Sequence, residues 1–215
     1  MTAQFIPPRP MLRAKDVNKR FGKRTVLRNQ SLEVMPGEAV AIVGENGAGK
    51  STLLRILAGV LAPDSGGVQM VGRPGYCPQQ PGLLDLLTVD DHLALFGAGL
   101  GLSPTDALAE GRFILRSVGY RPEPDRRAKF MSGGNRQKLN LALALLGEPD
   151  VLLLDEPYQG FDFGTYVNFW DNVDGWRRDG KAIVIVTHML AELERVDRII
   201  EIRWPDPRAT DEMAA

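Results

Sequence analysis

The sequence predicts an α/β fold built on a largely parallel sheet. Val40-Ala41-Ile42-Val43, Val151-Leu152-Leu153-Leu154 and Ile183-Val184-Ile185-Val186 are short, continuously apolar runs, the pattern of strands buried on both faces. Segments with helical apolar spacing lie between them, and strands alternating with helices imply parallel pairing. The first run leads straight into Gly44-Glu45-Asn46-Gly47-Ala48-Gly49-Lys50-Ser51, a glycine-rich turn that opens a helix.

Each element follows in order. Met11 to Val17 and Thr25 to Val34 read as two antiparallel strands around the turn Phe21-Gly22-Lys23-Arg24, a small N-terminal β subdomain. After the turn Met35-Pro36-Gly37-Glu38 comes the strand at Val40 to Val43. Lys50 to Gly59 reads as a helix, with Leu53, Leu57 and Val60 on one stripe. Leu83 to Ser117 is mainly helical in pattern, broken around Gly97 to Pro104, and Gln137 to Leu146 is a further helix with Leu139, Leu143 and Leu146 aligned. Ala191 to Val196 reads as a short helix and Arg198 to Arg203 as a last strand. These elements make one domain over residues 11–203, with a helical insert at about 83–147 and flexible tails at 1–10 and 204–215.

Composition narrows the function classes. The chain has 215 residues, 44% hydrophobic and 25% charged, ordinary values for a globular protein. A formal net charge of −1 gives no electrostatic case for a nucleic-acid partner. Cys77 is the only cysteine, so no internal disulfide forms, a reducing compartment is favoured, and the thiol reads as a small buried hydrophobe. No apolar run reaches the ~18 to 20 residues of a membrane helix, and Pro7-Pro8-Arg9-Pro10 is unlike a signal peptide. The expectation is a cytoplasmic protein that meets a membrane only through a partner. Between Arg9 and Arg28 eight basic residues face one acid, Asp16, and read as a solvated sheet face.

The glycine-rich turn fits G-x-x-x-x-G-K-[ST], and each residue type has a physical reason. Gly44, Gly47 and Gly49 let the backbone curl so that successive N–H groups, including those around Asn46, point at phosphate oxygens. The helix that begins at Lys50, Ser51 and Thr52 aims its positive dipole end at the same anion. Lys50 reaches the β- and γ-phosphates, and the Ser51 hydroxyl coordinates Mg²⁺. Val151 to Leu154 then ends in Asp155-Glu156, at the kind of strand end where open parallel sheets bind ligands. Adjacent strand residues point to opposite sides, which divides the labour: Asp155 for the metal, Glu156 for the attacking water.

Met131-Ser132-Gly133-Gly134-Asn135-Arg136-Gln137-Lys138 resembles the signature motif of ABC ATPases, with Met131 where Leu is usual and Asn135 where Gln is usual. Both substitutions keep the chemistry, an apolar anchor and a side-chain amide. The chain thereby carries a second helix start rich in free N–H groups. The resemblance, which runs from about Leu12 to Arg203, implies an ATP-hydrolysing subunit that dimerises head to tail, with Ser132, Gly134 and Asp162 covering the partner's ATP in trans. It implies further roles. Phe21 resembles the aromatic that stacks on adenine. Tyr76-Cys77-Pro78-Gln79 resembles the segment whose Gln contacts Mg²⁺ and couples to the transmembrane subunits. Thr88-Val89-Asp90-Asp91-His92-Leu93 resembles the start of the helical insert, where His92 reads as a helix-surface residue. Gly160-Phe161-Asp162 resembles the D-loop, and Thr187-His188 the switch histidine at the γ-phosphate.

Other nucleotide-driven machines fit less well. Repair and chromosome ATPases of this kind place a long coiled coil between the two phosphate motifs, whereas Thr52 to Met131 holds no heptads. Asn18-Lys19-Arg20-Phe21 lacks the Asp of a guanine-reading motif. The chain ends soon after the last strand, which predicts no appended regulatory domain, and the stretch from Asp155 to Trp170 resembles exporter subunits. Export powered by Mg-ATP, through separate permease subunits and a homodimeric cassette, is the resulting expectation.

Overall fold

The computed structural model describes residues 9–121, 125–188 and 190–203. The expected tails at 1–10 and 204–215 fall almost wholly outside the described residues. Within them the strands form two sheets. Strands β1 (Leu12–Phe21), β2 (Arg24–Val34) and β4 (Ser65–Met70) make an antiparallel sheet in the order β2-β1-β4. Strands β3 (Ala39–Val43), β5 (Pro74–Cys77), β6 (Val151–Asp155), β7 (Ala182–Val186) and β8 (Arg198–Glu201) make a parallel sheet in the order β5-β6-β7-β3-β8.

The apolar runs explain the parallel sheet. Every residue of β6 and β7 is buried, because the sheet is covered on both faces. One face packs on helix α1 (Lys50–Leu57) and the antiparallel sheet, through Leu12, Leu27, Ile42, Leu53, Leu153 and Val184. The other packs on helices α4 (Gly133–Leu145) and α5 (Phe163–Arg178), through Leu141, Leu152, Phe169, Trp170, Val173 and Ile185. Truncating a fully buried Leu in such a core costs about 2–5 kcal/mol. Helices α2 (Val89–Gly99) and α3 (Pro104–Ser117) add a third cluster with α4, around Leu93, Leu115, Leu139 and Leu143.

Some elements depart from the sequence pattern. Helix α5 and strands β4 and β5 have no counterpart in the pattern above. Helix α4 begins four residues earlier than Gln137, at Gly133, directly after its N-cap Ser132. The segment read as a helix from Ala191 is a 3-10 turn over Leu190–Arg195.

His92 is corrected from a surface residue to a buried one, with no exposed area. Its Nε2 accepts the Leu84 N–H at 2.9 Å and its Nδ1 lies 2.7 Å from the Thr88 carbonyl. The ring thus pins the loop before α2 to the helix's first turn, and a buried imidazole is tolerated because both nitrogens are satisfied.

Candidate functional site

Strand order assembles the site. In the run β5-β6-β7-β3, Gln79 follows β5, Asp155 ends β6 and Glu156 follows it, Thr187 and His188 follow β7, and the glycine-rich loop follows β3. All four parallel strands therefore deliver polar residues to one edge of the sheet, outside their carboxyl ends. There an open cleft of about 540 Å³ is lined by residues that include Asn46, Lys50, Ser51, Gln79, Glu156 and His188.

The loop after β3 has the backbone its sequence requires. Gly44, Gly47 and Gly49 have φ of 146°, 79° and 107°, values that L side chains rarely adopt. A Cβ on Gly44 would come 2.1 Å from the Ile202 carbonyl oxygen. Gly49 is the N-cap of α1 and offers no side-chain cap, so the first amides of the helix face the cleft unclaimed. Lys50 is buried and its Nζ donates to the carbonyls of Gly44 and Glu45 at 2.7 and 3.0 Å. The ammonium is thus held across the mouth of the loop, where an anion would meet it. Arg24 Nη2 lies 3.4 Å from the Gly47 carbonyl and ties the β1–β2 turn to the loop.

The two acids at the end of β6 differ in backbone: Asp155 is the last strand residue, and Glu156 follows it with φ of 47°. Asp155 is buried beside Ser51, and its Oδ1 has no hydrogen-bond partner. Burial raises its pKa, and the charge of Glu156 adds to that, against the opposing pull of the Ser51 hydrogen bond, Arg55 and Lys50. A buried, unpaired carboxylate oxygen next to a hydroxyl fits the ligand set of a hard divalent cation. Among the described residues no group of three His, Cys, Asp or Glu forms a full cage.

Glu156 is the point of convergence. Its backbone has φ of 47°, uncommon for a residue other than glycine and a mark of functional sites. Gln79 Nε2 donates to its Oε2 at 3.1 Å, and His188 Nδ1 lies 3.2 Å from its Oε1. Three residues far apart in sequence thus meet on one carboxylate at the lip of the cleft.

The other predicted residues lie outside the cleft lining. Phe21 stands half exposed at the β1–β2 turn, with Lys19 Nζ 5.7 Å from its ring centre. Ser132 is exposed and caps α4, its Oγ accepting the Asn135 N–H at 3.3 Å. Gly134 packs so tightly on the loop before α5 that a Cβ would lie 2.4 Å from the Gly160 carbonyl oxygen. Asp162 caps α5 by accepting the Thr165 N–H at 2.9 Å.

Two residues at the site escape the sequence pattern. Gln159 lines the cleft, and its N–H donates to the Glu156 carbonyl at 3.2 Å. The buried Tyr158 hydroxyl donates to Thr187 Oγ1, linking the turn after Glu156 to the residue before His188. Their only sequence signal is position, two and three residues after Glu156.

The chain is similar to known proteins over most of its length. A family model described as ABC transporter matches residues 27–159. The Nod factor export ATP-binding protein I of Paraburkholderia xenovorans is 34% identical over 201 residues, covering 88% of this chain and 66% of that protein. An uncharacterized ABC transporter ATP-binding protein of Methanocaldococcus jannaschii is 33% identical over 196 residues, covering 91% of this chain and 75% of its own length. This chain is an ATPase of the ABC transporter family. A dimeric ABC cassette solved in a post-hydrolysis state with ADP and Pi superimposes with a TM-score of 0.82 at 26% identity, over 90% of this chain and 94% of that one. Among the described residues no helix of this cassette is long and apolar enough to cross a membrane.

Proposed function

We propose that this cassette hydrolyses Mg-ATP as a head-to-tail homodimer and so drives an exporter whose membrane-spanning subunits are separate chains. One observation carries the reading: Gln79 and His188 converge on the Glu156 carboxylate at the lip of the phosphate-loop cleft.

The roles follow from the geometry. Asn46, Gly47, Gly49, Lys50, Ser51 and Thr52 cradle the triphosphate, and Gly44 shapes the loop by accepting Lys50. Phe21 offers its exposed ring to the adenine. Ser51, Asp155 and Gln79 would hold Mg²⁺, which would supply charge neutralisation for the triphosphate. Glu156 accepts the proton of the attacking water, while His188 and Gln79 hold its carboxylate in register. The partner's copies of Ser132, Gly134 and Asp162 close the γ-phosphate from the other side. Exposure of Ser132 away from the chain's own cleft supports this shared arrangement, as does the dimeric state of the similar cassette. Catalysis is then mostly positioning and charge stabilisation.

A second cavity supports a transmembrane partner. A groove of about 570 Å³ runs between β5 and α2, lined by apolar residues that include Leu83, Leu95, Phe96, Leu100 and Leu143. It begins at Pro78, beside Gln79, so a partner element seated there would sense the state of the Mg²⁺ ligand. Similarity to the Nod factor export protein of Paraburkholderia favours export. Membrane contact through such a partner puts the cassette on the cytoplasmic face.

Light scattering on Glu156→Gln, with and without Mg-ATP, tests this together with wild-type turnover. The expected result is a dimer that forms only with ATP and a turnover reduced by about a hundredfold or more. A monomer under all conditions, with turnover intact, overturns both the role of Glu156 and the homodimer.

A further inference from the structure

Helix α4 has two ends with different business. Its N-terminus, Ser132 to Gly134, is exposed or half-exposed. From Gln137 onward every residue to Leu145 is buried, including the polar Gln137 and Asn140. A buried amide needs partners, and here the partners belong to the catalytic apparatus. Asn140 Nδ2 donates to the Pro78 carbonyl at 2.7 Å and approaches Cys77 Sγ at 3.2 Å and Gln137 Oε1 at 3.3 Å. Gln137 Nε2 in turn donates to the Glu156 carbonyl at 3.3 Å. Pro78 precedes Gln79, and Gln79 donates to the Glu156 carboxylate. The circuit is closed: α4 grips the backbone on both sides of the Gln79–Glu156 pair. Gly75 permits it, because a Cβ there would lie 2.1 Å from the Ala144 carbonyl oxygen and hold β5 away from α4. Burial pushes the Cys77 thiol pKa up, so the sulfur stays protonated and neutral within this network.

We propose that Gln137 and Asn140 are positioning residues that tie Glu156 and Gln79 of one site to the helix whose N-terminus covers the ATP of the other. This rests on the shared-site reading above. When a phosphate seats on the start of α4, the helix shifts as a rigid body, and the two amides carry that shift two turns along to the base of its own chain's site. Occupancy of one site therefore sets the alignment of the base in the other.

The test is the ATP dependence of turnover in the full chain, for wild type, Asn140→Ala and Gln137→Met. Gln137→Met keeps volume and removes the tie to Glu156 together with the contact to Asn140, while leaving the Asn140–Pro78 bond in place, which covers the case in which Asn140→Ala does not fold. The expected result is a Hill coefficient above 1 in wild type that falls to about 1 in either folded variant, with turnover down about tenfold and half-saturating ATP within about twofold. The same substitutions placed in Glu156→Gln should still give the ATP-dependent dimer, read by light scattering. Variants that keep wild-type turnover and Hill coefficient overturn the proposal. So does a wild type with no cooperativity, which leaves the shared-site reading standing if Glu156→Gln still dimerises. Absence of that dimer instead removes the reading on which the proposal rests.

Discussion

The chain has two glycine-rich helix starts, and they are built in opposite ways. The start of α1 is enclosed: Lys50 is buried, folded back onto two carbonyls, and the cap is a glycine with no side chain to offer. The start of α4 is open: Ser132 and Gly133 are exposed, and Ser132 caps the helix itself. Both present amides to an anion. The first gathers a cation, a hydroxyl and a neighbouring acid around its amides. The second offers amides and a capping hydroxyl, and in the proposed dimer it would meet the anion bound by another chain.

Removing the cation from the enclosed start should have the largest effect. Lys50→Ala takes away the ammonium held across the mouth of the glycine-rich loop, so turnover should fall by about two orders of magnitude or more. A coupled ATPase assay measures this, and an unchanged melting curve would show that the fold survives. If turnover persists, the enclosed start is not the primary phosphate site and the comparison fails.

The glycines give the next largest effect, on stability. Gly49 has φ of 107°, and its Cβ would fall 2.9 Å from both Leu27 Cδ2 and Val26 Cγ1. Gly133 has nothing within 4 Å. Gly49→Ala should cost about 2 kcal/mol from strain and crowding together, or roughly 4–8 °C in melting temperature for a chain of this size. Gly133→Ala should leave the melting temperature of the isolated cassette within about 2 °C. Equal losses at both positions would mean that the open start is as constrained as the enclosed one.

How much of this was legible in the sequence depends on whether the signal was local. The strands around Ile42, Leu153 and Val184 were legible, because burial on both faces demands unbroken apolar runs. The curl of the loop before Lys50 was legible because such backbone curvature demands glycine at fixed spacing. Helix α5 was not, since Gly164, Gly175 and the β-branched Thr165 and Val167 lower its intrinsic preference. Its helicity comes from tertiary burial of Thr165, Phe169, Trp170 and Val173. Strand β4 carries two glycines and alternates only over Val68 to Met70, and β5 is four residues long. The burial of His92 was hidden for a similar reason, because its partner Leu84 lies on a loop with no periodicity. The meeting of Gln79, Glu156 and His188 is fixed by strand order, which no local pattern encodes. Tyr158 and Gln159 matter through the tight turn at Glu156, whose positive φ is invisible before the fold is known.

The smallest effect sharpens the comparison by titration. Each helix start has an acid near it, and the two shift in opposite directions. Asp155, beside the enclosed start, is raised from its ordinary 3.8 by burial and by Glu156. Asp162, beside the open one, is lowered from 3.8 by the Thr165 N–H and hydroxyl it accepts. For an acid with a raised folded pKa, the native state binds its proton more tightly than the unfolded state. Stability then falls as pH rises from 3.8 through the folded pKa, and the penalty is complete above it. Asp155→Asn removes the penalty, so in the absence of nucleotide and metal it should raise the melting temperature at pH 7 by about 2–4 °C, the scale of about 1 kcal/mol in a chain this long. The gain should shrink as pH approaches 3.8. For Asp162 the sign reverses: its stabilisation is present above 3.8 and lost as pH falls through its lowered value. Asp162→Asn should therefore lower the melting temperature slightly at pH 7. Scanning calorimetry across pH on both variants decides the matter. A loss at pH 7 from Asp155→Asn would mean that its carboxylate is already paired, and the enclosed start would no longer have a ligand waiting for a cation.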